Sequence, residues 1–218
     1  MTESDVTDGS NERQSPPRAV VFDLGGVLVD WNPRYLYRKL LPDDQAVEEF
    51  LSTVCTFEWN AQQDAGRSWE DAIAERVAIY PEHEQLIRAY WERWPETLGE
   101  VQQEVREIFD LLRREIPVYA LTNWSSETWR YAQQRLEFLE QFEGIVVSGF
   151  EGMAKPDPRI YQLLIERFSL FPGDSVFIDD MPMNVKAAKD LGFDAIHFLN
   201  PKDLREQLQS RSLLSSEA

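Results

Sequence analysis

Five short apolar runs, each ending at or beside polar residues, limit the possible folds of this chain more than any other feature. They are rich in β-branched and aromatic residues and span 19–23, 118–122, 144–148, 175–180 and 195–199. Continuous apolar runs of this length are typical of strands buried on both faces of a parallel sheet. The stretches 125–138, 157–168 and 184–191 have helical periodicity. This alternation predicts an α/β fold with a three-layer, doubly wound, Rossmann-like parallel sheet.

The connection between the first two runs is too long for a single crossover helix. Its apolar spacing predicts helices over 33–41, 43–54, 68–80 and 81–94 and no strand. A helical insertion after the first strand lies above the carboxyl ends of the strands, where ligands bind in open α/β sheets. We therefore expect a helical cap domain over 33–95, inserted into a core domain of 19–32 and 96–218.

The two ends of the chain differ from the rest in composition. Residues 1–18 are rich in Ser, Asp, Pro and Gly and lack apolar periodicity, which predicts a disordered tail. The end of the chain, from about Ser210, has a similar composition and carries the same prediction.

Charge and cysteine content limit the partners and the compartment. The 218 residues include 39 Asp and Glu against 22 Lys and Arg, a net charge of −17, which disfavours nucleic acid or an anionic membrane. Cys55 is the only cysteine, so neither an intramolecular disulfide nor a thiolate zinc cluster is expected. No apolar run approaches the roughly 20 residues of a membrane span or resembles a signal peptide. These features predict a cytoplasmic protein, monomeric or homodimeric, that binds neither nucleic acid nor membrane.

Polar residues follow the first two predicted strands. Asp23 closes the first strand, and the two glycines at 25 and 26 allow close backbone approach to a ligand. Taken alone, Asp23 is equally well explained as a cap of the following loop. Thr122 and Asn123 end the second strand, where a hydroxyl and backbone N–H groups could bind a phosphoryl oxygen. A Thr-Asn pair is, however, more often a helix N-cap.

Charged residues follow the third and fourth strands. Lys155, in a loop with two nearby prolines, could neutralise a carboxylate and a phosphoryl group, although an exposed loop lysine is the ordinary interpretation. Asp179 and Asp180 end an apolar strand side by side, and they would repel each other unless a cation such as Mg²⁺ stabilised them. Because all four signals fall after different strands of one parallel sheet, we expect them to meet at one edge.

Taken in order, Asp23, Thr122, Lys155 and the pair 179–180 resemble the motifs of the haloacid dehalogenase (HAD) superfamily. The resemblance covers residues 19 to about 199 and is nearest to the group whose first motif reads Phe-Asp-Leu-Gly, which includes bacterial sugar-phosphate phosphatases. It implies that a small phosphorylated metabolite, such as a sugar phosphate, is hydrolysed through an aspartyl-phosphate on Asp23. Thr122 and the Asn123 backbone would bind the phosphoryl oxygens, and Lys155 would stabilise both Asp23 and the phosphoryl group.

The resemblance also implies a Mg²⁺ site and exposes two departures from the family pattern. Asp180, the Asp23 carboxylate and the Gly25 carbonyl would bind the ion, with Asp179 acting through water. One departure is Asn184, where many members have a further acid and where we expect the amide to orient a metal-bound water or to cap the helix.

The other departure is Gly25. Most phosphatases of the superfamily carry a general acid and base two residues after the nucleophile, where this chain has Gly25. Such help is worth roughly 10²–10⁴-fold in rate. Its absence favours good leaving groups, a substitute acid such as Asp30, or slow turnover.

Two alternative functions remain open on the sequence. A 2-haloacid dehalogenase also lacks the second aspartate, but it needs no metal, so the adjacent acids 179–180 favour a phosphatase. A catalytically weak, phosphate-binding regulatory protein is the other alternative. Among the aromatic residues of the insertion, we expect Trp59 with Asn60 to face a substrate, and Trp91 with Trp94 to form the core of the cap.

Overall fold

The computed structural model of the protein describes residues 16–215. Within this range all five predicted runs form strands, at bounds within two residues of those expected. Most of the tail predicted over 1–18 lies outside the described residues. In chain order the strands are β1 (Ala19–Phe22), β2 (Val29–Trp31), β3 (Leu98–Val101), β4 (Val118–Thr122), β5 (Gly144–Val147), β6 (Ser175–Asp179) and β7 (Asp194–His197).

Helices occupy the connections between the strands. In chain order they are α1 (Arg34–Tyr37), α2 (Asp44–Thr53), α3 (Phe57–Asp64), α4 (Trp69–Ile79), α5 (Glu84–Glu92), α6 (Gln103–Leu112), α7 (Trp129–Arg135), α8 (Ser148–Glu151), α9 (Pro158–Phe168), α10 (Pro182–Asp190) and α11 (Pro201–Ser210). Short 3-10 turns cover Pro81–His83, Trp94–Thr97, Glu137–Gln141 and Pro172–Asp174. Over residues 16–215, no helix has both the length and the apolar character needed to cross a membrane.

Five strands form one parallel sheet in the order β5-β4-β1-β6-β7. β1 lies in the middle, with Val21 opposite Tyr119 of β4 and Phe177 of β6. Along the chain, β4 and β5 are therefore added on one side of β1, and β6 and β7 on the other. This order creates a switch point at β1, and ligands of open α/β sheets bind beyond the carboxyl ends of the strands at such a point.

The sheet is covered by helices on both faces. Because side chains alternate along a strand, Val20 of β1 packs with Ile108 of α6 and Leu204 of α11. Val21 points to the other face and packs in the cluster that contains Ile160 of α9. These two apolar clusters confirm the predicted three-layer, doubly wound sheet.

The insertion after β1 contains α1 to α5 and has an aromatic centre of its own. The ring centroids of Trp59 and Trp69 lie 5.6 Å apart, and Tyr90 of α5 lies 5.5 Å from each. Trp59 is 1% exposed and Asn60 is 5% exposed, and neither lines the cavity at the carboxyl edge of the sheet. The expectation that they face a substrate is therefore wrong. α3, which supplies Trp59, was not predicted because its apolar residues are too few to show a helical period. The antiparallel pair of β2 and β3, also not predicted, joins the insertion to the core.

The C-terminal end departs from the sequence expectation. Residues beyond Ser210 were predicted to be disordered, but Arg211 forms an ion pair with Asp194 at 2.6 Å, and Leu213 packs against the main core cluster. The apolar contact and the ion pair both hold this segment against the sheet domain.

Replacement of Gly149 by alanine is expected to lower the free energy of unfolding by about 1–3 kcal/mol, the usual range for overpacking. A Cβ at Gly149 in α8 would stand 2.3 Å from the backbone nitrogen of Ser126 and 2.7 Å from the Trp124 carbonyl oxygen. Backbone atoms cannot rotate away as side chains do. Urea denaturation measures the loss. Gly173→Ala is the matched control, because a Cβ there meets nothing within 4 Å, and equal stability of the two variants would contradict this packing.

Candidate active site

The loops at the carboxyl edge of the sheet bring the predicted site residues together. Asp23 directly follows β1, Thr122 ends β4 and Asp179 ends β6, so three neighbouring strands deliver them. The loop that follows α8 adds a buried lysine. The predicted residues found at this edge are Asp23, Gly25, Thr122, Asn123, Lys155, Asp179 and Asp180.

Lys155 is the centre of the cluster. Its Nζ lies 2.9 Å from Asp23 Oδ2 and donates to Asp179 Oδ2 at 2.7 Å and to the Leu121 carbonyl oxygen at 2.7 Å. The residue is 4% exposed, so its interpretation as an ordinary exposed lysine is wrong. A buried ammonium is tolerated only when it is paired and fully hydrogen-bonded. These three partners meet that requirement.

Burial and repulsion make the carboxyl groups of Asp23 and Asp180 costly to ionise. Burial raises the pKa of Asp23 well above its usual range, and the charges of Asp179 and Asp180 add to the shift, while Lys155 opposes it. Burial and then Asp179 raise the pKa of Asp180 as well. Burial acts to lower the pKa of Lys155, but Asp179 and Asp23 outweigh it and raise the pKa overall. The lysine therefore stays charged at neutral pH.

Hydrogen bonds from the backbone and from an amide fix the outer side of Asp179. Its Oδ1 accepts from the Met181 backbone N–H at 2.8 Å and from Asn184 Nδ2 at 2.9 Å. Asn184, which many relatives in the resembled superfamily replace by an acid, thus orients Asp179. With Lys155 on its other oxygen, Asp179 has little freedom to move towards a ligand.

The loop after β4 supplies a positioning contact and an unpaired hydroxyl. Asn123 Nδ2 donates to the Lys155 carbonyl oxygen at 2.9 Å, and the Lys155 backbone N–H donates to Asn123 Oδ1 at 2.8 Å. This two-way pairing fixes Lys155 relative to β4. The Thr122 hydroxyl is fully buried and has no hydrogen-bond partner. An unpaired buried hydroxyl costs free energy unless a ligand satisfies it.

The acidic residues also fit a divalent cation. Oxygens of Asp23, Asp179 and Asp180 lie within 4.8 Å of one another, and a single ammonium leaves them an excess of negative charge. Gly26 makes room for them, since a Cβ there would stand 2.3 Å from Asp180 Oδ2. Mg²⁺ prefers oxygen ligands and would relieve the repulsion that, after burial, raises the pKa values of Asp23 and Asp180.

A cavity of about 280 Å³ lies above the carboxylates, between the sheet edge and the cap. Its lining residues are Asp23, Gly25, Gly26, Trp31, Phe57, Asp64, Trp94, Asn123, Trp124, Asp180 and Met181. Trp94 was expected in the core of the cap but lines this cavity. Asp64, at the end of α3, was missed because nothing in the sequence separates it from the other acids of the insertion. Asp30, one option for a substitute acid, does not line the cavity and accepts a hydrogen bond from the Tyr35 hydroxyl.

Gly26→Ala is expected to weaken Mg²⁺ binding at least about tenfold, because the new Cβ would displace the Asp180 carboxylate and overpacking costs about 1–3 kcal/mol. Isothermal titration calorimetry with Mg²⁺ measures the affinity. Gly152→Ala is the matched control: Gly152 has a positive φ of 66°, like the 78° of Gly26, but a Cβ there meets nothing within 4 Å. Equal affinities for the two variants would show that backbone strain alone, and not displacement of Asp180, governs the effect.

Comparison with known proteins finds hydrolases that are similar to this chain. Residues 17–192 match the family model described as haloacid dehalogenase-like hydrolase. Over 83% of its length the chain is 26% identical to the sesquiterpene phosphatase astK of Aspergillus oryzae, covering 89% of that protein. It is 22% identical to the D-ribitol-5-phosphate phosphatase of Bacteroides thetaiotaomicron, covering 87% of this chain and 95% of that one.

A solved structure shares the fold. It is the crystal structure of a HAD family enzyme from Bacteroides thetaiotaomicron in complex with magnesium and inorganic phosphate, with a TM-score of 0.63 and 24% identity. The match covers 83% of this chain and 93% of that chain. The superfamily predicted from the motifs is confirmed. The chain belongs to the haloacid dehalogenase-like hydrolase family.

Proposed function

We propose that the protein is a Mg²⁺-dependent phosphatase that hydrolyses a small phosphate ester through an aspartyl-phosphate on Asp23. The observation that carries this proposal is the buried ion cluster in which Lys155 bridges Asp23 and Asp179, beside Asp180, at the floor of the cavity. The named relatives astK and the D-ribitol-5-phosphate phosphatase are phosphatases, which supports the same reaction type. One is named for a sesquiterpene and the other for D-ribitol 5-phosphate, so the two names together do not indicate which substrate this chain binds.

Each residue of the cluster has a distinct task in this reaction. The Asp23 carboxylate attacks phosphorus, the bond from phosphorus to the leaving oxygen breaks, and water then hydrolyses the aspartyl-phosphate. Lys155 opposes the rise in the pKa of Asp23 that burial causes and, with the free Thr122 hydroxyl, stabilises the phosphoryl oxygens. The Asn123 backbone supports the same oxygens from the loop after β4.

We assign the metal ligands as the family resemblance implies them. Asp180, the Asp23 carboxylate and the Gly25 carbonyl would hold Mg²⁺ directly, and Asp179 would contact it through water. Asp179 suits this indirect role because its oxygens already accept hydrogen bonds from Lys155, Asn184 and a backbone N–H. When bound, the ion supplies positive charge next to the phosphoryl group.

The cavity argues against a 2-haloacid dehalogenase. Such an enzyme must bind the carboxylate of its substrate, which calls for a cationic or strongly hydrogen-bonding wall. None of the residues that line this cavity, all of them in the described range, is a Lys, Arg or His, and three of them are aspartates. A carboxylate substrate would be repelled.

Asp23→Asn is expected to lower phosphate release at least about 10³-fold, because an amide cannot replace the carboxylate nucleophile. Removal of the metal by EDTA should stop turnover of the wild-type protein, and added Mg²⁺ should restore it. A phosphate-release assay over a panel of esters, including p-nitrophenyl phosphate, measures both effects. Asp174→Asn is the control, since Asp174 lies at the opposite end of β6 from Asp179.

Two results would contradict the proposal. Metal-independent halide release from a 2-haloacid would indicate a dehalogenase. Binding of a phosphate analogue without turnover of any ester would indicate a regulatory protein.

A further inference from the structure

The walls of the cavity above the carboxylates are mainly aromatic. Trp31, Phe57, Trp94, Trp124 and Met181 line it outside the ion cluster. Trp94 and Trp124 are each 4% exposed, and their ring centroids lie 5.5 Å apart. Closely packed indoles cannot rotate to admit water, so the leaving group of the substrate meets a rigid apolar surface.

Polar partners for a hydroxyl-rich leaving group are scarce in this cavity. Apart from the carboxylates of the ion cluster, the lining residues offer the polar side chains of Asp64 and Asn123 and the indole N–H groups of the tryptophans. Among these N–H groups, that of Trp124 is buried without a hydrogen-bond partner. The Asn123 amide is already paired with the Lys155 backbone. Buried hydroxyls without partners weaken binding. A second anionic group would in addition find no cationic lining residue to balance its charge.

We propose that the substrate is the phosphate monoester of a small, uncharged, apolar alcohol, aromatic or branched aliphatic, whose hydrocarbon part lies against Trp31, Phe57, Trp94, Trp124 and Met181. This inference rests on the proposed phosphatase function. The volume of about 280 Å³ is at the lower end of small-molecule sites. It therefore suits a compact alcohol.

Two esters with the same carbon number test the substrate class. 3-Methylbutyl phosphate and D-ribose 5-phosphate are both primary alkyl esters of five carbons, so their leaving groups differ chiefly in polarity. The expected kcat/KM is at least about tenfold higher for 3-methylbutyl phosphate, since its alcohol leaves no buried hydroxyl unpaired. Equal values, or a preference for ribose 5-phosphate, would overturn the inference.

Phe57, at the rim of the cavity, and Phe171, outside it, provide a matched pair of variants. Phe57 lines the cavity but is 57% exposed, so Phe57→Ala should leave folding intact and raise KM for 3-methylbutyl phosphate about fivefold through lost apolar contact. Phe171→Ala is the control, because Phe171 is 71% exposed and lies outside this cavity. An unchanged KM in Phe57→Ala would also count against the inference. Absence of phosphate release from every ester, p-nitrophenyl phosphate included, would instead refute the phosphatase function.

A second inference concerns Asp64, which the proposed mechanism does not use. Asp64 ends α3 on the cap side of the cavity that also exposes Asp23. Its Oδ2 accepts from Asn60 Nδ2 at 2.9 Å, and the Ser125 backbone N–H also hydrogen-bonds the carboxylate. These contacts fix the carboxyl group between the cap and the loop after β4.

The environment of Asp64 suits proton transfer at neutral pH. Burial raises the pKa of Asp64 to about 7, although the Ser125 N–H opposes the shift. The titratable groups that face it are Tyr90 of α5, whose own pKa Asp64 helps to raise, and Asp23 and Asp180 across the cavity. All are neutral or anionic, so none drives Asp64 towards ionisation. An acid with a pKa near the working pH is well suited to general catalysis.

The geometry points to Asp64 as the general acid and base that the chain lacks at Gly25. As the Asp23 oxygen bonds to phosphorus and the phosphorus–oxygen bond of the ester breaks, the Asp64 carboxyl proton passes to the departing oxygen and yields the alcohol. The Asp64 carboxylate then accepts a proton from the water that attacks the aspartyl-phosphate. Inorganic phosphate leaves, and both aspartates return to their starting states. This assignment also rests on the proposed function.

The Asp64→Asn variant tests this role when it is assayed with two esters whose leaving groups differ in basicity. The amide keeps the shape and acceptor oxygen of Asp64 but cannot donate the carboxyl proton. For 3-methylbutyl phosphate, kcat should fall at least about 100-fold. For p-nitrophenyl phosphate the first-turnover burst of p-nitrophenol should stay within about threefold of the wild type, because p-nitrophenolate departs without a proton. Asp30→Asn, with an acid outside the cavity, serves as the matched comparison and should leave both values unchanged.

A rescue variant separates chemistry from structure. A Cβ at Gly25 meets nothing within 4 Å, so Gly25→Asp in the Asp64→Asn background can place a carboxyl group at the position used by most of the superfamily. At least about tenfold recovery of the 3-methylbutyl phosphate rate is expected. An equal slowing of both esters by Asp64→Asn, no slowing of the alkyl ester, or the absence of rescue would overturn the assignment. If the wild-type protein turned over none of the esters, the phosphatase function itself would be refuted.

Discussion

The ion pairs of Lys155 with Asp23 and Asp179 are the interaction on which the rest of the site depends. Two carboxylates and an ammonium group are removed from water here, and they are tolerated only because the ammonium lies within 2.9 Å of both carboxylates. The same burial that makes the cluster costly also strengthens its field, since charges interact more strongly away from water. The cluster thus places one ammonium beside the Asp23 carboxylate and leaves an excess of negative charge that suits a bound cation.

The fold brings these charges together because most of them follow adjacent strands of the sheet. β1 lies at the centre of a parallel sheet with β4 and β6 on either side, so the residues after their carboxyl ends are neighbours in space. Gly26 permits Asp180 to approach the backbone after β1. The cap has an aromatic centre of its own around Trp59 and Trp69. It can therefore cover the site with other residues, including Phe57 and Asp64, without losing its own packing.

Much of the fold and of the candidate site could be predicted from the sequence. The strands were predictable because β-branched runs buried on both faces carry a strong local signal, and the site residues followed because parallel strands end at a common edge. The positions of Trp59 and Trp94 were predicted wrongly because both are aromatic residues of the insertion with no local signal to separate them. Only the packing of α3 against α4 and α5 decides which of the two lines the cavity. Asp64 and Asp30 differ in the same way, since the path of the cap chain places one at the cavity and the other beside Tyr35. The segment after Ser210 has a polar composition, but its few apolar residues pack against the core.

The most direct test of the account identifies the residue that becomes phosphorylated. Acid quenching during turnover of a phosphate ester with Mg²⁺, followed by tandem mass spectrometry, locates any covalent phosphoryl group. The account predicts a phosphoryl group on Asp23, lost on return to neutral pH and absent when Mg²⁺ is withheld. A phosphoryl group on another residue, or steady turnover with Asp23 unmodified at every quench time, would contradict it.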